Sequence, residues 1–108
     1  MATAREADSV TIEFYSQSGK EEVTFTDIFW IERLAAALAF GSYKPQGHCL
    51  CVSYPTIRLL RKKEVIGTLS VHHGEKLRAY AGQVSGDFLV GAKTGKAIVD
   101  LANEKRKG

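Results

Sequence analysis

The chain has no apolar run approaching the ~18 residues that a membrane span requires. Its longest apolar region, residues 28–40, is broken by Glu32 and Arg33. Nor does a basic start lead into an apolar stretch, as a secretory leader would. Residues 1–8 are small or charged and read as a flexible tail. A cytoplasmic protein is therefore expected. Cysteine is scarce as well. The two present, Cys49 and Cys51, are one residue apart, which makes a disulfide between them geometrically awkward. On a strand both would point to the same face, and they are expected as reduced thiols. No repeat, linker or second composition appears, so residues 9–108 are expected to form one domain.

What is present suits a globular fold. The 108 residues are 44% hydrophobic and 25% charged, enough to bury a core without disulfide or metal staples. The formal charge of +3 is mild. Part of it sits in Lys105, Arg106 and Lys107, where cations suit a helix C-terminus. A dedicated nucleic-acid binder carries a denser basic stripe.

Residues 9–15 alternate, with Val10, Ile12 and Phe14 against Thr11, Glu13 and Tyr15, the pattern of a half-buried strand. Alternation resumes at residues 22–25, and the turn cluster between them predicts a hairpin. Thr26 reads as the N-cap of a helix over residues 27–40. Ile28, Ile31, Leu34, Ala35 and Leu38 form its core stripe, and Gly41 stops it. Pro45 and Gly47 mark a loop. Residues 48–53 fit a buried strand ended by Pro55. Residues 56–61, 64–71 and 76–81 read as strands, and residues 87–90 as a short edge strand. Leu59-Leu60 and Val65-Ile66 leave the faces of two of these ambiguous. Thr94 is expected to cap a last helix reaching Arg106, with Ala97, Ile98, Leu101 and Ala102 inward. The fold class implied is α+β: an antiparallel sheet of five or six strands with two helices packed on one face, in the order ββαβββ(β)α.

The three histidines and two cysteines fall in two clusters, His48-Cys49-Leu50-Cys51 and His72-His73. Cys49, Cys51 and one histidine are the right residue types for zinc. The spacing argues against it, because zinc knuckles separate their cysteines by at least two residues. A nucleophilic pair of Cys51 and His72 requires their strands to pair in register. The run Gly91-Ala92-Lys93-Thr94-Gly95-Lys96 lacks the order of a phosphate-binding loop and reads as an ordinary helix start. No catalytic residue, cofactor or metal is assigned.

Arg58, Arg61, Lys62, Lys63, Lys76 and Arg78, with Tyr54 and Tyr80, offer a basic surface for phosphates and bases. From residue 27 the order helix, three strands, helix parallels double-stranded-RNA-binding domains. The glycine-proline-histidine loop of those domains has no counterpart here, and lysines at a hairpin tip also protect strand edges. Nucleic acid is the disfavoured partner.

The back of the first long helix is the more informative feature. Phe29, Arg33, Ala36 and Phe40 share a face opposite the core stripe at about 100° per residue, with Trp30 beside it. Aromatic residues there imply a second contact, either the last helix or another chain. The leading expectation is a non-enzymatic interaction domain that self-associates as a homodimer through this face, with an unknown protein partner also open. A small enzyme or metal protein built on Cys49, Cys51, His72 and His73 is the rival. A weak nucleic-acid binder built on the hairpin of residues 58–63 is the third reading.

Overall fold

The elements run α1 (Thr3–Glu6), β1 (Ser9–Ser16), β2 (Gly19–Phe25), α2 (Ile28–Ala39), β3 (Lys44–Gln46), β4 (Thr56–Arg61), β5 (Glu64–His72), β6 (Lys76–Ala81), β7 (Val84–Leu89) and α3 (Ala92–Glu104). They are seen in a computed structural model that describes residues 3–16, 19–39, 44–47, 55–81 and 84–106. The strands form one antiparallel sheet in the order β2-β1-β4-β5-β6-β7-β3. The fold is α+β as expected, with seven strands and three helices among the described residues.

Period-two alternation gives the sheet two chemically different faces. Val23, Ile12, Ile57, Leu69 and Ala79 are successive cross-strand partners, so one apolar row crosses five strands. The helices pack on this face, and Leu34, Leu38, Ile98 and Leu101 close the core over it. The ambiguous faces of β4 and β5 are resolved by a bulge. Leu59 pairs with Gly67 but Leu60 pairs with Val65, so Ile66 is an extra residue. That leaves Leu59 buried and Val65 exposed.

Several local expectations are corrected. Asp27 caps α2 in place of Thr26: its Oδ1 accepts the Trp30 N–H at 3.1 Å. Ile28, expected in the core stripe, is 67% exposed, and Trp30 takes its place inside. Among the described residues, no side chain caps α3, which starts at Ala92 after Gly91 and not at Thr94. Residues 44–46 form an edge strand where a loop was expected. It pairs with β7 alone, which suits Pro45, a residue that cannot donate to a ladder. The expected flexible tail includes a helical turn, α1, with Ala4 buried. Asp8 anchors the start of β1, its N–H donating to Leu60 O at 2.9 Å and its Oδ2 accepting the Lys62 N–H at 2.9 Å. Five strands lie between α2 and α3, so the parallel with double-stranded-RNA-binding domains does not hold. The strand expected at residues 48–53, and with it Cys49, Cys51 and Tyr54, lies outside the described residues, as does Phe40.

The glycine-rich run has a packing role. A Cβ on Gly95 would fall 2.0 Å from Gly74 O. The β5–β6 turn therefore lies directly against the first turn of α3. It is held there by the Val90 and Gly91 N–H groups, which donate to Glu75 O at 2.9 and 3.2 Å.

Candidate functional site

The sheet face turned away from the helices carries a polar row. Glu13, Thr56, Ser70, Arg78 and Asp87 are successive cross-strand partners on five adjacent strands. Glu13, Ser70 and Asp87 are buried, as is His72 next to Ser70 on the same face of β5. Charges this far from water require partners. Arg78 supplies them to Asp87, its Nε donating to Oδ1 at 2.9 Å and its Nη2 to Oδ2 at 3.2 Å. This forked contact holds the guanidinium pKa above its ordinary value. Glu13 accepts from Arg58 Nη2 at 3.0 Å, with Lys20 Nζ 3.5 Å away.

His72 is the exception in this row. Its side chain is 1% exposed and its Nε2 lies 3.5 Å from Asp87 Oδ2. Among the described residues, neither ring nitrogen has a hydrogen-bond partner. Burial pushes its pKa down, more than the Asp87 carboxylate raises it, and Arg78, His73 and Lys76 push the same way as burial. The imidazole is therefore neutral near pH 7. His73 stacks edge-on against it at 5.3 Å but sits in the turn with a φ of 54°, exposed. The sequence pairs these two histidines as one candidate, whereas the structure places one inside and one outside.

The chemistry open to this cluster is limited. Asp87 has both oxygens engaged by a guanidinium, which weakens it as a base. Among the described residues, His72 is not hydrogen-bonded to any hydroxyl that it could activate. Among the described residues, no three histidine, cysteine or acidic side chains gather as a metal would need. Sequence reasoning missed the Arg78–Asp87 pair, because only the β6–β7 register brings them together.

The second candidate surface is the outward side of the helices. Trp30, placed there from the sequence, lies in the core at 1% exposure. Its indole N–H donates to Leu101 O at 2.8 Å, satisfying a carbonyl of the last turn of α3. Its ring meets Phe25 edge-on at 4.9 Å. Phe29, by contrast, is 83% exposed, beside exposed Ile28. Arg33 reaches across to Glu104, its Nη1 donating to Oε1 at 2.8 Å. Ala36 and Ala37 are half-buried. Between the two helices runs a groove of about 540 Å³ lined by Ala37, Lys93, Thr94 and Ala97.

Comparison with family models, curated proteins and solved structures finds no match.

The hairpin of residues 58–63 is the third. Lys62 and Lys63 form its two-residue turn, both at positive φ, 51° and 68°. Arg58 is turned to Glu13 on the polar face, so it does not add to the charge at the tip. Among the described residues, no helix is long and apolar enough to cross a membrane.

Proposed function

We propose that this chain is a non-enzymatic interaction domain that self-associates through the outward face of α2. The observation that carries the reading is the exposure of Phe29 in a helix whose aromatic neighbour is fully buried. The core stripe of α2 is complete without it: Trp30, Ile31, Leu34, Ala35 and Leu38 are all inside. Phe29 and Ile28 are then apolar area that the monomer leaves in water. Burying one phenylalanine side chain contributes roughly 1.5–3 kcal/mol, and a two-fold interface would bury it twice. Half-buried Ala36, about two turns further along α2 on the same side as Phe29, keeps that part of the face low, so that another backbone can approach it closely.

The polar row on the opposite face supports a structural role for its members. Its charges are paired within the chain, and its one histidine is neutral and enclosed. The test is sedimentation velocity on the wild type and on Phe29→Glu. The wild type is expected to sediment as a dimer at high micromolar concentration, and the variant as a folded monomer with an unchanged far-ultraviolet spectrum. Equal association by both proteins refutes the reading.

A further inference from the structure

His72 is the last residue of β5, enclosed, with neither ring nitrogen hydrogen-bonded among the described residues. Charged and titratable groups approach it from three elements. β6 contributes Lys76, its cross-strand partner, and Arg78. β7 contributes Asp87, whose Oδ2 lies 3.5 Å from His72 Nε2. The β5–β6 turn contributes His73 and Glu75, both exposed. β4 places uncharged Thr56 opposite Ser70. Glu13 stands further along the polar row and is held by Arg58. Among the described residues, the carboxylate within reach of the imidazole is therefore the one whose two oxygens Arg78 already engages.

A proton on this ring would set a second cation beside that pair, with Lys76 adjacent. One carboxylate cannot serve two buried cations, and a buried charge without its own partner is strongly disfavoured. Protonated His72 therefore belongs in water. Its route there runs through the β5–β6 turn. Among the described residues, β4 pairs with β5 no further than Ser70. One rung, to Lys76 at the end of the hairpin, holds His72 in the sheet. An end rung opens at far lower cost than the middle of a sheet.

The same turn positions the start of α3. Glu75 O accepts from the Val90 and Gly91 N–H groups at 2.9 and 3.2 Å. Gly74 O lies where a Cβ on Gly95 would fall only 2.0 Å away. Opening the rung at His72 moves the residues that make these contacts.

We propose that His72 is an acid-operated latch: its protonation detaches the β5–β6 turn from the start of α3 while the rest of the sheet stays paired. Burial holds the ring's pKa below its ordinary value of 6.5. The latch is therefore closed, with a neutral imidazole, at neutral and alkaline pH, and it opens as pH falls below the ordinary histidine range. It operates within one chain and does not depend on self-association.

Amide hydrogen exchange read by NMR tests the latch, at pH 7.5 and pH 5.5 and corrected for the intrinsic rate. The Val90, Gly91 and Gly95 amides report the start of α3, and the Ile12 and Ile57 amides report the sheet. In the wild type the first three are expected to lose about ten-fold in protection relative to the other two at the lower pH. That factor is the excess of protonated over neutral imidazole one pH unit below its ordinary value. In His72→Gln, which cannot take up the proton, the relative protection is expected to be the same at both pH values. His72→Leu serves the same purpose if the glutamine variant does not fold. A wild type whose relative protection does not change overturns the latch, as does an equal loss in the variant. A loss shared equally by Ile12 and Ile57 overturns it too, because the whole fold is then weakening. So does a His72 imidazole that titrates at or above 6.5 in the folded protein.

Discussion

Gly95→Ala opposes two effects of known size. In an exposed helix interior, alanine is more favourable than glycine by about 1 kcal/mol. At this position the added Cβ would sit 2.0 Å from Gly74 O, 2.9 Å from Gly74 C and 3.3 Å from Glu75 Cα. All three atoms are backbone, so no side chain can rotate away. The turn cannot recede freely either, because Glu75 O accepts from Val90 and Gly91 just before the helix. Either α3 lifts from the sheet, exposing part of Ile98 and Leu101, or those two hydrogen bonds stretch. Overpacking of this kind costs about 1–3 kcal/mol and can exceed that. The clash is severe enough to place the cost at the upper end, and about 2 kcal/mol of net destabilisation is expected after the helix gain. For a chain of this size that lowers the melting temperature by about 10 °C. Thermal unfolding followed by circular dichroism measures it, with Asn103→Ala, exposed on the same helix, as the control. A Gly95→Ala protein as stable as the wild type, or more so, would show that α3 does not approach the β5–β6 turn this closely.

The buried histidine and the β4–β5 turn each give a further test. His72 has its pKa lowered by burial, so the unfolded chain takes up a proton more readily than the folded one. Its contribution is complete above the ordinary histidine value near 6.5 and is lost as pH falls from there toward the folded value. Urea unfolding at pH 7.5 and at pH 5.5 should show the wild type losing stability toward acid, and His72→Gln losing less; identical slopes would contradict a neutral, enclosed imidazole. The β4–β5 turn holds two lysines at positive φ, a conformation that disfavours side chains with a Cβ. Lys62→Asn with Lys63→Gly supplies the residues such turns prefer and should raise stability by about 1 kcal/mol, whereas a lower melting temperature would mean that the lysine side chains are needed there.

Period-two strands are legible in the sequence because their signal is local. The bounds of β4 and β6 agree with the expectation residue for residue, and β1 differs by one. Elements that depend on a neighbour are not legible in this way. β3 is three residues with a proline and is a strand only because β7 lies beside it. Sequence periodicity turns the inward side of α2 toward Ile28, because it carries no sign that α3 runs alongside. With α3 in place, the buried arc turns toward it and takes in Trp30, whose indole N–H finds a carbonyl there. The Arg78–Asp87 pair is likewise invisible until the hairpin register is known.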